Sequence, residues 1–149
     1  MIASFKNSKY ARNMNLFSRK KKNVIVLGTD GMLGHDVVEL LIDEQKKAQS
    51  CIGIVTPLTS KDIDITESFA LSEHVRRNRT DPPVKYDYVI NCAAMTDTKK
   101  IETDITYRNK AYDVNALSLK HIANICAINK IKLIHISTDY VFSQFSTKD

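Results

Sequence analysis

Residues 24–34 read "VIVLGTDGMLG" and place Gly28, Gly31 and Gly34 at spacing G-x-x-G-x-x-G. The glycines follow an all-apolar, β-branched run directly. They open onto "MLGHDVVELLIDEQ", whose Leu33, Val37, Leu40 and Leu41 recur at helical spacing. A strand that turns into a helix through three glycines has few uses. The first glycine permits the tight turn, the second lets a ligand approach the backbone, and the third lets helix and strand pack closely. The helix N-terminus then presents free N–H groups and a positive dipole, the arrangement that holds a pyrophosphate. Three of the chain's four glycines are spent here.

The rest of the chain repeats the same alternation. "CIGIV" (51–55) reads as a second strand and "DIDIT" (62–66) as a third. Thr66 is placed to cap a helix through about Asn78, anchored by Phe69, Leu71 and Val75. "RTDPPVKYD" is a linker, "YDYVINCAA" a fourth strand and "IKLIHIS" a fifth. Between the last two, a helical stretch runs from about Asp104 to Asn129, with Ala111, Val114, Ile122 and Ile125 on one face. Strands apolar on both faces need helices on both faces. The expectation is a three-layer, doubly wound α/β fold of Rossmann type. Its strands are parallel in order 3-2-1-4-5, and the pattern ends after the fifth strand.

Charge is unevenly placed. Residues 1–22 hold seven of the 22 Lys and Arg and no acid, leaving 15 bases against all 17 acids in the remainder. The mildly acidic body gives no support for a nucleic-acid face. The tail is read first as a disordered basic arm. A mitochondrial-type presequence and a contact with RNA or an anionic surface are the alternatives. Residues 23–149 then form the folded domain. Three cysteines in apolar runs imply no disulfide framework and a reducing, cytoplasmic setting, and no apolar run is long enough to span a membrane. His35, His74, His121 and His135 show no ligand spacing, so no metal site is expected. His35 should face solvent and His135 the core.

NAD-preferring sites carry an acid at the end of the second strand, about 20 residues past the glycines. The corresponding stretch, "IVTPLTSK", has none, and Ser60 and Lys61 stand just beyond. Donors without an acid favour NADP(H) over NAD(H).

Four segments together resemble the dTDP-4-dehydrorhamnose reductase family of extended short-chain dehydrogenases. They are "VLGTDGMLGHDV", "DIDITE", "VINCAAMT" and "AYDVNALSLKHIANICAINKIKLIHISTDYVF", running in order from about Asn23 to Phe142. The resemblance implies a cofactor pyrophosphate at Gly28, Gly31 and Gly34, with Met32 and Leu33 in the turn. It matches Asp64 and Ile65 to the adenine pair, and Asn91, Cys92, Ala93 and Ala94 to the strand end beside the riboses. Asn115 matches the long-helix asparagine. Thr96 and Tyr140 match positions near the sugar nucleotide, and Thr138 the hydroxyl member of a Thr/Tyr/Lys catalytic set. A donor on a rigid strand edge would stabilise the alkoxide that forms when a ketone is reduced.

The chain also departs from that pattern. "TDTKKIE" shifts the acid and lysine expected after "AAMT", and "VFSQ" lacks the usual acid and glycine. The Tyr-x-x-x-Lys pair and the sugar-binding half are absent from the 149 residues. The expected function is the cofactor-binding portion of a reductase of 4-keto nucleotide sugars. The alternatives are a non-catalytic subunit, similar to the methionine adenosyltransferase regulatory subunit, and a truncated inactive product. A bare edge on the fifth strand predicts a homo-oligomer, or a partner supplying the missing half.

Overall fold

The computed structural model describes residues 20–77 and 84–138. Most of the basic arm and all of Asp139–Asp149, Tyr140 included, lie outside the described residues. Four strands, β1 (Lys22–Leu27), β2 (Ile52–Leu58), β3 (Tyr88–Asn91) and β4 (Lys132–His135), form one sheet in order β2-β1-β3-β4. Every pairing is parallel: Val24 with Val55 and Tyr88, and Val89 with Leu133, fix the register. The chain order reverses between β1 and β3, which is where doubly wound sheets open a crevice. β1 starts on Lys22, whose Nζ donates to Asp87 Oδ1 at 2.9 Å.

Among the described residues five helices flank the sheet: α1 (Met32–Gln45), α2 (Ala70–Arg77), α3 (Thr98–Thr103), α4 (Ile105–Tyr112) and α5 (Ser118–Asn129). α1 packs on β1 and β2, and α5 packs on β4 and α2. The core lies on the α2/α5 face, where Ile25, Leu27, Val89, Ile122 and Cys126 are buried. Ala111, Ile122 and Ile125 are buried and Val114 half-buried, as their spacing predicts. The Cys126 thiol, desolvated in this core, is pushed up to about 11.

Several sequence expectations are corrected. "DIDIT" is not a strand, so the expected order 3-2-1-4-5 lacks its outer member among the described residues. Local bonds hold this segment in turns. Asp62 Oδ2 accepts from Thr59 N (2.9 Å) and Thr59 Oγ1 (2.6 Å), and Asp64 Oδ1 from Thr66 N (2.9 Å) and Thr66 Oγ1 (2.7 Å). Short polar side chains offer the backbone this alternative to a ladder, and here it outweighs the apolar alternation. Thr66 is used in that turn, so α2 begins later, at Ala70, and Phe69 is exposed. On α1 only Gly34 is buried, and Leu33 and Leu40 are exposed. His135 is half-buried and bonds Asn91.

The long helix is interrupted. Residues Asp113–Leu117 form a π-helical turn between α4 and α5. Asp104 caps α4, its Oδ1 accepting from Thr106 N at 2.8 Å and Tyr107 N at 3.1 Å. π turns inside α-helices commonly mark functional sites, because the extra residue re-aims the side chains around it.

Candidate dinucleotide cleft

β1 ends at Leu27, and Gly28 turns the chain with φ +76°, a left-handed conformation that favours glycine. Gly28 N donates to Leu58 O at 3.0 Å, and Cys92 N to Leu27 O at 3.1 Å, so the ends of three strands are tied together. A Cβ on Gly28 would lie 2.6 Å from the Ala93 backbone, and one on Gly34 would run into the Gly28 carbonyl. Gly28 and Gly34 are therefore required by packing. Gly31 is different: a Cβ there would meet only Gly28 O, at an ordinary 3.5 Å. The protein leaves that space open. Gly31 is also the N-cap of α1, and no side chain caps the helix. The first N–H groups of α1 thus remain available to an anion.

A cleft of about 630 Å³ opens at these strand ends. Its first wall is the glycine turn, with Gly28, Asp30 and Gly31. Its second is the segment past β3, with Cys92, Ala93, Ala94 and Met95. It is also lined by Thr59, Ser60 and residues 63–66 past β2, and by Lys110, Asp113 and Val114 on α4 and the π turn. That volume suits a small organic ligand or cofactor.

Electrostatically the cleft mixes backbone donors with fixed carboxylates. Asp30 Oδ2 accepts from Ser60 Oγ at 2.6 Å, and this bond, with a second from Ser60 N, holds the Asp30 carboxyl below its ordinary range. The Thr66 hydroxyl does the same for Asp64, assisted by the Lys110 charge. Desolvation raises the Cys92 thiol.

Of the sequence candidates, Gly28, Gly31, Asp64, Ile65, Cys92, Ala93 and Ala94 line this cleft. Gly34, Asn91 and Asn115 do not line it. Asn91 is buried, with Oδ1 accepting from Ala93 N at 3.1 Å and Nδ2 3.2 Å from His135 Nδ1. Asn115, on the π turn, clamps the Met95 backbone from both sides. Its Oδ1 accepts from Met95 N at 2.8 Å and its Nδ2 donates to Met95 O at 2.9 Å. Met32 and Leu33 begin α1 with exposed side chains and do not line the cleft. Thr96 is exposed, one residue past Met95. Thr138 is exposed three residues beyond β4 and does not line the cleft.

Sequence reasoning passed over Asp30, Met95, Lys110 and Asp113. Asp30 was legible as the charged residue of the glycine turn. The other three are brought in by the Asn115 clamp and the π turn, which no spacing announces. On exposed α1, His35, Asp36 and Glu39 bring potential ligand atoms within 4.8 Å of one another. Side chains this close on one solvated helix surface are common without an ion.

A parallel sheet with a glycine turn at its switch point, an uncapped helix N-terminus and a cleft at the strand ends defines a doubly wound domain of the dinucleotide-binding type. The RmlD substrate binding domain family model matches residues 22–148, and the chain belongs to that family. A dTDP-4-dehydrorhamnose reductase of Mycobacterium tuberculosis is 33% identical over 123 residues, covering 83% of this chain and 34% of the relative. A dTDP-4-keto-6-deoxy-D-glucose reductase of Streptomyces niveus is 32% identical over 124 residues, covering 83% and 38%. Among solved structures, the dTDP-4-dehydrorhamnose reductase of Bacillus anthracis in complex with NADP superposes with TM-score 0.65 at 29% identity. That match covers 82% of this chain and 38% of the other. The chain thus spans about a third of the length of the relatives it matches. Among the described residues no helix is long and apolar enough to cross a membrane.

Proposed function

We propose that residues 22–149 are the dinucleotide-binding part of a reductase acting on a 4-keto nucleotide sugar, with the residues before Lys22, the first residue of β1, an arm outside that domain. The observation that carries the reading is the open space at Gly31, at the uncapped start of α1, facing the cleft. At Gly28 and Gly34 other parts of the protein occupy the space a Cβ would need, whereas at Gly31 that space is vacant. The cofactor is a nicotinamide dinucleotide, which supplies hydride when bound. NADP(H) is preferred, because β2 ends without an acid and Ser60 and Lys61 follow. The relatives named as reductases, one of them holding NADP, support this assignment.

In this reading the α1 N-terminus and the glycine backbone hold the pyrophosphate. Asp64 and Ile65 flank the adenine, and Cys92, Ala93 and Ala94 run beside the riboses. Asn91 and Asn115 position that wall through Ala93 N and Met95. Thr96 and Tyr140 contact the sugar nucleotide, and Thr138 donates to the developing alkoxide. No Tyr-x-x-x-Lys occurs in the 149 residues. General acid catalysis contributes typically about 10²–10⁴-fold, so the polypeptide 1–149 binds the dinucleotide with turnover depressed at least that far. The test is a fluorescence titration with NADPH, followed by an NADPH oxidation assay with a dTDP-4-keto-6-deoxy sugar. Saturable binding without appreciable turnover is the expected result. Absence of binding rejects the assignment. Fast turnover rejects the roles given to the residues.

A further inference from the structure

Asp30 is the charged residue of the glycine turn, and its carboxylate bonds Ser60 in the loop past β2. Oδ2 accepts from Ser60 Oγ at 2.6 Å and from Ser60 N at 3.4 Å. The pair joins two neighbouring loops of this kind of cleft: the turn after β1, which meets the pyrophosphate, and the residues past β2, where the ribose 2′-position is read. Both residues line it. Ser60 is one of the two residues whose donors favour a 2′-phosphate, and its Oγ–H and N–H are already committed to Asp30. A second carboxylate, Asp62, is turned back onto Thr59 in the same loop.

A carboxylate at this place acts on the two cofactors with opposite sign. It accepts a hydrogen bond from a ribose 2′-hydroxyl, the service that an acid at the end of the second strand performs elsewhere. It repels a 2′-phosphate and competes with it for the Ser60 donors. We propose that Asp30 is a specificity-determining residue: through its bond to Ser60 it stands in for the missing second-strand acid. It thereby holds down the preference for NADPH that Ser60 and Lys61 would otherwise give. Binding NADPH requires Ser60 to exchange Asp30 for phosphate. Binding NADH leaves the pair intact. The inference rests on the dinucleotide reading of the cleft given above.

Dissociation constants for NADPH and NADH, measured on the full chain and on Asp30→Asn and Ser60→Ala, test it. Circular dichroism accompanies each variant. Asp30→Asn keeps the shape of the side chain and removes its charge. It should shift the affinity ratio towards NADPH by about tenfold, equivalent to about 1.4 kcal/mol, chiefly through tighter NADPH binding. Raising the salt concentration should shrink that shift. Ser60→Ala should move the ratio towards NADH. If Asp30→Asn fails to fold, Ser60→Ala decides: a ratio unchanged from wild type overturns the proposal. A folded Asp30→Asn with an unchanged ratio, or one moved towards NADH, also overturns it while leaving the dinucleotide reading intact. Wild-type protein that binds neither cofactor overturns both.

Discussion

The two walls of the cleft are built by opposite means. The glycine turn is built by the absence of side chains. Gly28 sits against the Ala93 backbone, and Gly34 sits against the Gly28 carbonyl, with no room for a Cβ at either. The facing wall is built by side chains. Asn91 fixes Ala93 N, and Asn115 fixes both polar groups of Met95. A wall made by exclusion fails by steric clash against backbone, which no rotamer change relieves. A wall made by hydrogen bonds fails one bond at a time. Damage should therefore be all-or-none on one side and graded on the other.

Three substitutions sharpen that contrast. Gly34→Val should be the most damaging. Its Cβ would meet Gly28 C at 2.8 Å and Thr29 Cα at 2.9 Å, all backbone. A cost of about 3 kcal/mol or more is expected, a large share of a typical domain's 5–15 kcal/mol. Thermal denaturation should show a melting point far below wild type, and a near-native one would refute the packing role. Asn91→Ala comes next. It removes the acceptor for Ala93 N inside a buried site, and should cost about 1–3 kcal/mol by urea titration. Asn115→Ala should be the mildest for stability, about 0.5–1.5 kcal/mol, because Asn115 and its partner lie near solvent. It should still weaken dinucleotide binding by loosening Met95. Full affinity in that variant would show that the clamp does not shape the cleft.

The same contrast explains what the sequence discloses. Only glycine can meet the demands at Gly28 and Gly34, so the first wall is written in residue identity and was legible directly. So were the four strands that remain in the sheet, because β-branched runs have little else to do. The second wall was legible as residues but not as a mechanism. Asn91 and Asn115 stand out through family resemblance; Asn91 reaches Ala93 at the end of its own strand, while the Asn115 clamp on Met95 depends on a π turn that periodicity does not reveal. "DIDIT" misled because its alternation was real while its aspartates preferred Thr59 and Thr66 to a ladder. Helix α3 was missed although Asp97 announces it. That side chain accepts from Lys100 N at 3.0 Å, a cap bond that the spacing D-x-x-K does not by itself distinguish from a turn.

The central claim is that the empty space at Gly31 belongs to a dinucleotide. Gly31 has φ −87° and ψ 158°, backbone that any residue adopts, and its Cβ position is clear of the protein. Gly31→Glu therefore separates ligand from fold. The measurement is NADPH titration of wild type and Gly31→Glu by fluorescence, with thermal melts of both. Saturable binding to wild type, and its loss in a variant that melts within a few degrees of wild type, is the predicted result. Undiminished binding in the folded variant would contradict the account, because the pyrophosphate would then lie elsewhere.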